Sequence, residues 1–142
     1  MAEEDGREKR ESIIFLCTYN SVRSQMAEAL MRHLNCGRFR IFSAGIAPSG
    51  LHPYARRVLE EDGIDTSGLR SKSVNEFRGQ TFDYVVTLCS DMDGSCLDPP
   101  GTTRVIALPF RSPPEIGDDE EILAGFRELR EEIRSFLEER FG

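Results

Sequence analysis

Short apolar runs alternate with longer amphipathic segments along most of this chain. The first run, residues 13–16, is continuously apolar, which is typical of a strand buried on both faces of a parallel sheet. A helical pattern follows it, because Met26, Leu30 and Leu34 recur every four residues before a glycine that favours a helix end. The pattern therefore predicts a strand, a tight loop and a helix within residues 12–36.

The same alternation continues to the end of the chain. Further strands are predicted at residues 38–43, 84–88 and 104–108. Helices are predicted at residues 53–62, which a proline begins and a glycine ends, and at residues 120–141, whose apolar positions recur at helical spacing between Glu and Arg side chains. This alternation indicates a small α/β domain with a parallel sheet and right-handed crossover connections.

Ligands of such a sheet bind beyond the carboxyl ends of its strands. The loop after the first predicted strand begins at Cys17, and the loop after the third begins at Cys89. Both loops lie on that edge of the sheet. Two cysteines that are distant in sequence can therefore meet at one site.

Length and charge limit the class of protein. The 142 residues suffice for one compact domain, predicted at residues 12–142, after a charged tail at residues 1–11. Because 25 acidic residues outnumber 18 basic ones and the formal net charge is −7, we expect no nucleic-acid partner. An acidic protein that binds an anion needs backbone N–H groups and positive charge concentrated in one pocket.

Hydropathy and cysteine usage indicate the compartment. No run approaches the roughly 18 apolar residues of a membrane span, and the N-terminal residues lack the apolar stretch of a signal peptide. We therefore expect a cytoplasmic protein with no membrane association. In that reducing compartment the cysteines are expected to be catalytic, redox-active or metal-binding rather than a permanent disulfide framework. The four cysteines are Cys17, Cys36, Cys89 and Cys96.

Residues 17–24 carry the pattern Cys-x5-Arg-Ser between the first strand and the first helix. Such a loop can surround a tetrahedral oxyanion with its N–H groups while the helix N-terminus adds positive potential. The same field stabilises a Cys17 thiolate, the nucleophilic form of cysteine, and Arg23 can bind two oxyanion oxygens at once. The alternative is a buried cysteine at a strand end beside an arginine that caps the helix. The candidate oxyanion-binding residues are Thr18, Tyr19, Asn20, Ser21, Val22, Arg23 and Ser24.

Cys89 and Cys96 are separated by six residues, most of them polar or turn-forming. A thiol that accepts attack from Cys17 and then reacts with Cys96 must move between partners, and such a segment permits this movement. Two incidental thiols are one alternative. A zinc site with Cys36 and His33 is another, but we expect no metal because closely spaced ligand pairs such as Cys-x2-Cys are missing. Cys36 is better explained by packing at a helix end.

These motifs resemble those of a known family. Residues 17–29, with residues 42–46, 63–67 and 83–89, are similar in order and spacing to low-molecular-weight protein tyrosine phosphatases and, more closely, to thioredoxin-coupled arsenate reductases. The resemblance extends over roughly residues 12–110. It implies a three-layer α/β fold in which helices flank a four-stranded parallel sheet.

The resemblance to the reductases implies a disulfide relay. In it, Cys17 forms a covalent adduct with arsenate, Cys89 attacks the Cys17 sulfur and expels arsenite, and Cys96 then forms a disulfide with Cys89. The two electrons that reduce As(V) to As(III) are those released when two thiols become a disulfide. Thioredoxin is implied as the reductant, with glutaredoxin as the alternative, and no metal or nicotinamide cofactor is required. Phosphate or sulfate would compete with arsenate, and we expect a monomer.

Four residues are expected to support the loop. Some reductases of this family hold a potassium ion beneath it with asparagine, glutamate, serine and aspartate. Asn20, Glu28 and Ser43 match the first three. Lys72 stands at the fourth position, where its ammonium group would occupy the place of the ion, so we expect no potassium dependence. The alternative is an exposed surface lysine.

One departure from the family affects the choice of reaction. Related phosphatases and most related reductases carry an aspartate before a proline after the fourth strand, whereas this chain has Ser112. A hydroxyl group does not protonate a leaving alkoxide as a carboxylic acid does, so hydrolysis of phosphomonoesters through a phosphocysteine is the alternative function, with weak residual phosphatase activity expected. Asp118 or Asp119 would replace the acid if this loop folds back. A third possibility is a regulator that binds oxyanions without turnover. His33 and His52 match no catalytic position of the family and are expected to be structural or surface residues.

Overall fold

The structure is a computed structural model. Four strands and three helices make up most of the part of the chain that it describes. It describes residues 10–34, 37–77, 79–88, 105–107 and 113–141. The strands are β1 (Glu11–Cys17), β2 (Phe39–Gly45), β3 (Tyr84–Thr87) and β4 (Val105–Ala107). The helices are α1 (Arg23–Leu34), α2 (Pro53–Glu61) and α3 (Asp119–Phe141), and a short 3-10 helix occupies Val74–Phe77.

All four strands are parallel and lie in the order β2-β1-β3-β4. β1 is therefore central, and its C-terminal residues lie between those of its neighbours. Cys17 is paired with Gly45 of β2, and Leu16 is paired with Thr87 of β3. The predicted fold class, with helical segments flanking a four-stranded parallel sheet, is confirmed.

The side chains of β1 alternate between the two faces of the sheet, as the twofold period of a strand requires. Ile13 and Phe15 pack on the face that carries the helices, whereas Ile14 and Leu16 pack on the opposite face. All four are at most 2% exposed. This double burial explains why the run that encodes β1 is continuously apolar.

The three helices cover one face of the sheet and contact one another. Buried side chains of α1, such as Met26 and Leu30, and of α3, such as Leu123 and Phe126, belong to the same core cluster as Phe15. The other face is covered by Phe77 of the 3-10 helix and by other residues that precede β3. None of the described helices has an apolar stretch long enough to span a bilayer.

The predicted elements differ from the observed ones mainly at their ends. Glu11 belongs to β1, so the strand takes in the last residue of the predicted tail, and residues 1–9 lie outside the described part of the chain. The 3-10 helix was not predicted, because four residues are too few for a periodic pattern. Four residues named by the sequence analysis also lie outside the described residues: Cys36, Cys89, Cys96 and Ser112.

Candidate active site

The loop that joins β1 to α1 lies where the sequence predicts, between the end of the central strand and the start of a helix. Cys17 is the last residue of β1 and is 2% exposed, and Arg23 is the first residue of α1. The loop thus begins at a thiol and ends at a helix N-terminus, where N–H groups and the helix dipole favour an anion.

Asn20 determines the path of this loop. Its backbone has φ +47°, the left-handed conformation that asparagine adopts more readily than most residues. Its side chain is completely buried, and its Nδ2 donates to Ser24 Oγ at 2.7 Å and to Ser43 Oγ at 3.0 Å. Its Oδ1 accepts from the backbone N–H of Lys72 at 2.6 Å and from Gln25 Nε2 at 3.3 Å. One side chain therefore joins the loop to α1, to β2 and to the segment after α2.

The backbone carbonyls of the loop point away from its centre. Those of Thr18, Tyr19 and Ser21 accept hydrogen bonds of 2.9, 3.0 and 3.1 Å from backbone N–H groups within residues 47–52. Because a trans peptide unit directs its C=O and its N–H to opposite sides, the N–H groups of these peptide units point away from residues 47–52. An oxyanion-binding loop uses backbone N–H groups that do not bond within its own turn.

Cys17 has a hydrogen-bonding partner of its own. Its Sγ lies 2.9 Å from Ser24 Oγ. Since Ser24 Oγ already accepts from Asn20, its hydroxyl hydrogen is available to Cys17. Ser24 can therefore hold the Cys17 sulfur in place at the cleft.

Arg23 connects the loop to the end of β3. Its guanidinium donates from Nη1 to the carbonyl oxygen of Leu88 at 3.0 Å, and the side chain is 8% exposed. Leu88 itself donates its N–H to the carbonyl of Leu16 at 2.8 Å, directly before Cys17. Leu88, the residue directly before Cys89, therefore lies beside the end of β1, where Cys17 is located.

A cleft of about 340 Å³ opens above the loop. Asn20 and Ser24 do not line it, because their side chains support the loop from beneath. Three of the residues that line it, Ser49, His52 and Glu115, were not predicted for the site. The lining residues are Cys17, Tyr19, Ser21, Val22, Arg23, Ser49, His52 and Glu115.

His52 and Glu115 reach the cleft through tertiary contacts that no local motif encodes. His52 caps α2, its Nδ1 accepting from the N–H of Tyr54 at 3.1 Å. Its Nε2 lies 3.2 Å from Glu115 Oε2. His52 thus has the structural role expected of it, as a helix cap, and it also lines the cleft, whereas His33 is exposed on α1 as expected. The bonds of residues 47–52 to the loop bring His52 there, and such pairing leaves no signal in sequence.

Lys72 lies beneath the loop. Its Nζ donates to the carbonyl of Arg70 at 2.6 Å and lies 3.4 Å from both Glu28 Oε1 and Ser43 Oγ. Ser43 Oγ donates to Glu28 Oε1 at 2.5 Å. Lys72 is only 8% exposed, which excludes a surface lysine. Its ammonium group thus contacts two of the three oxygen-bearing side chains that the sequence analysis assigns to a cation, and its backbone binds the third, Asn20.

Two cations neutralise the buried carboxylate of Glu28. Its Oε2 accepts from Arg32 at 2.7 Å, and its Oε1 faces Lys72. Burial lowers the pKa of Lys72 below its usual range, and the charge and hydrogen bond of Glu28 act in the opposite direction. The stability of this charged cluster therefore depends on the balance between the cost of desolvation and the gain from ion pairing.

Comparison with known proteins identifies the family. A family model described as low molecular weight phosphotyrosine protein phosphatase matches residues 12–109. The chain belongs to this phosphatase family. Among relatives, an arsenate reductase of Bacillus subtilis is 38% identical over 128 residues, which cover 89% of this chain and 92% of the relative. A glutaredoxin arsenate reductase of Synechocystis is 33% identical over 126 residues, which cover 89% and 92%.

Solved structures of arsenate reductases are similar to this chain. An arsenate reductase in the oxidized state superimposes with a TM-score of 0.71 at 32% identity, covering 91% of this chain and 95% of the other. The thioredoxin-dependent arsenate reductase of Corynebacterium glutamicum superimposes with a TM-score of 0.67 at 26% identity, covering 97% of this chain and 65% of the other. The resemblance to arsenate reductases on the phosphatase scaffold is thereby confirmed.

Gly45 permits the loop to lie close to β2, so Gly45→Ala should disturb the loop. A Cβ at this position would lie 2.6 Å from the backbone N of Asn20, 2.8 Å from the carbonyl oxygen of Thr18 and 2.9 Å from that of Cys17. Because all three are backbone atoms, the loop must shift, and we expect a loss of about 1–3 kcal/mol in the free energy of unfolding. Urea unfolding measures this, and protection of Cys17 from iodoacetamide by phosphate measures anion binding.

The matched control is Gly68→Ala, since a Cβ at Gly68 meets no atom within 4 Å. It should leave both measurements close to those of the parent. A Gly45→Ala protein with parental stability and parental phosphate protection would show that the close approach does not constrain the loop.

The cation beneath the loop gives a prediction about potassium. The melting temperature of the parent should be the same in KCl and in NaCl of equal ionic strength, because the ammonium group of Lys72 already contacts Glu28 and Ser43. Lys72→Asp should instead be stabilised by KCl, since its carboxylate completes an oxygen set around a free cation site. Lys72→Met is the control, because it removes the ammonium without adding a ligand. A parent stabilised by potassium beyond sodium would contradict this assignment.

Proposed function

We propose that this protein is an arsenate reductase that uses Cys17 as its nucleophile. The observation that carries the proposal is the position of Cys17 Sγ at the cleft, 2.9 Å from the hydroxyl of Ser24 and lining the same space as Arg23. A thiolate, backbone N–H groups and a guanidinium form a site for a tetrahedral oxyanion. Relatives along nearly the full length of the chain carry the name arsenate reductase, which supports arsenate as the oxyanion.

The first step joins sulfur to arsenic. The Cys17 thiolate attacks arsenate, an S–As bond forms, and one oxygen leaves as water after it gains a proton. Arg23 binds two of the remaining oxygens, and the N–H groups of residues 18–24 and the N-terminus of α1 hold the negative charge. Phosphate and sulfate have the same tetrahedral shape and compete for this site.

The second step carries the redox change. The Cys89 thiolate attacks the Cys17 sulfur, the S–As bond breaks, and its electron pair stays on arsenic, which leaves as arsenite. Cys96 then attacks the Cys89 sulfur and releases the Cys17 thiolate, so that a disulfide joins Cys89 and Cys96. The bond between Arg23 and Leu88 supports this proposal, because it holds the chain directly before Cys89 beside the nucleophile.

The proposed physiological reductant of that disulfide is thioredoxin, with glutaredoxin as the alternative. One structural neighbour is a thioredoxin-dependent arsenate reductase, whereas one relative is a glutaredoxin arsenate reductase. Thioredoxin and glutaredoxin both reduce disulfides by thiol exchange in a reducing compartment, in keeping with the expected cytoplasmic location.

Hydrolysis of phosphomonoesters is the second candidate, because the matching family model is that of a phosphatase. The same thiolate and arginine would form a phosphocysteine. The two functions differ in their use of cysteines, since hydrolysis does not need Cys89 and Cys96. We propose that hydrolysis is a weak side activity.

Arsenate-dependent oxidation of NADPH, coupled through thioredoxin and thioredoxin reductase, tests the function directly. The parent should turn over, and Cys17→Ser should be inactive because an alcohol is a far weaker nucleophile than a thiolate. Arg23→Lys should lose at least about 10²-fold in kcat/KM, because lysine keeps the charge but not the two-pronged geometry.

Arg40→Lys on the exposed side of β2 is the matched control and should retain parental turnover. The same assay with glutaredoxin and glutathione identifies the preferred reductant. A parent that produces no arsenite with any of these reductants would refute the proposed function.

The relay predicts which disulfide each cysteine variant accumulates. After one equivalent of arsenate, Cys96→Ser should release arsenite and retain a disulfide between Cys17 and Cys89, whereas Cys89→Ser should stop at the adduct and release none by internal attack. Peptide mass mapping and arsenite quantification measure both. Cys36→Ser is the control and should behave like the parent. Steady turnover of the Cys89 and Cys96 variants at the parental rate would contradict the relay.

A further inference from the structure

The oxygen that leaves arsenate needs a proton, and the sequence lacks the aspartate that supplies it in related enzymes. Ser112 stands at that position. Hydroxide is a poor leaving group unless it is protonated as it departs, and a positioned acid typically accelerates such a step by about 10²–10⁴-fold. Another acid at the cleft would remove this deficiency.

Among the described residues that line the cleft, Glu115 is the one with a carboxyl group. The two acids suggested by sequence are engaged elsewhere. Asp118 Oδ1 accepts from the N–H of Glu121 at 2.9 Å and caps α3, and Asp119 Oδ1 accepts from the hydroxyl of Tyr54 at 2.5 Å. Neither aspartate lines the cleft. The structure therefore favours Glu115 over both.

His52 fixes the position of the Glu115 carboxyl. Because His52 Nδ1 accepts from the N–H of Tyr54, the proton of the neutral imidazole resides on Nε2. That nitrogen lies 3.2 Å from Glu115 Oε2 and can donate to it. The imidazole itself is held by Phe126, whose ring centroid is 5.0 Å away and which is 1% exposed. Glu115 thus has one carboxyl oxygen held by His52 and lines the cleft.

A bound arsenate would bring its negative charge into the same cleft that the Glu115 carboxyl group lines. Tyr54 adds no charge near neutral pH, because its hydrogen bond to Asp119 raises its pKa. Among the described residues, Arg23 brings a positive charge to the cleft, and the charge of Arg57 on α2 acts on Tyr54.

On the basis of the proposed function, we propose that Glu115 is the catalytic acid and that His52 is its positioning residue. As the S–As bond to Cys17 forms and the As–O bond breaks, the carboxylic proton of Glu115 moves to the departing oxygen, which leaves as water. Glu115 remains as a carboxylate and regains a proton from solvent when the next oxyanion binds. The same acid protonates the alkoxide or phenoxide that leaves a phosphate ester on Cys17.

The test compares the parent with Glu115→Gln in two reactions. In a single turnover with arsenate, release of arsenite by the variant should be slower by about 10²-fold, the lower end of the contribution of a positioned acid. With aryl phosphates, the ratio of parental to variant rate should rise as the leaving group becomes more basic. A merely structural role would lower all ester rates by the same factor. Phosphate should protect Cys17 from iodoacetamide equally in both proteins.

Two further variants complete the design. His52→Asn retains an oxygen that can cap α2 through Tyr54, but it loses the bond to Glu115. It should show the same dependence on leaving-group basicity with a smaller loss of rate. Glu128→Gln, an exposed carboxylate on α3 outside the cleft, is the matched control and should equal the parent in both reactions.

The outcomes separate this inference from the proposed function. If the parent reduces arsenate and Glu115→Gln matches it in rate and in leaving-group dependence, Glu115 is not the acid. If the parent releases no arsenite, the proposed function is wrong, and the aryl phosphate series still decides the role of Glu115. A uniform loss for all esters would likewise overturn the assignment of Glu115 as the acid.

Discussion

The hydrogen bonds of Asn20 are the constraint on which the rest of this site depends. A left-handed residue stands in the middle of the loop, and the loop carbonyls around it accept hydrogen bonds from backbone N–H groups within residues 47–52. Asparagine is suited to this role because its side chain both donates and accepts: it holds Ser24 and Ser43 through Nδ2 and the Lys72 backbone through Oδ1. Since the side chain is completely buried, losing any of these partners would leave a polar group without compensation.

A cluster of buried charged side chains beneath the loop also constrains its geometry. Glu28 is 2% exposed and lies between Lys72 and Arg32, so its charge is compensated from two sides. Such a cluster adds little net stability, because desolvation offsets much of the attraction between the ions. Its value lies in geometry, since it positions Ser43, which in turn contacts Asn20. The charged cluster is therefore connected to the loop by a chain of hydrogen bonds that runs through the hydroxyl of Ser43, the amide of Asn20 and the hydroxyl of Ser24.

The cleft combines residues held by the loop with residues held by the helices. Cys17 and Arg23 are positioned by β1 and α1, whereas His52 and Glu115 are positioned by α2 and by the chain that leads into α3. The packing of Phe126 against His52 places α3 against the N-terminus of α2, and Glu115 lies in the segment that leads into α3.

The sequence by itself determined the elements and the position of the nucleophilic loop. The apolar run of β1, the spacing of α1 and the Cys-x5-Arg pattern are local, and local periodicity reports burial and secondary structure directly. Matching residues to a family pattern also indicated Lys72 beneath the loop, and the structure excluded the alternative of an exposed surface lysine. Only the tertiary structure decided that His52 and Glu115 meet at the cleft and that Asp118 and Asp119 do not line it. Those contacts join residues far apart in the chain, and their geometry depends on how α3 packs on α2, which no single-sequence pattern encodes.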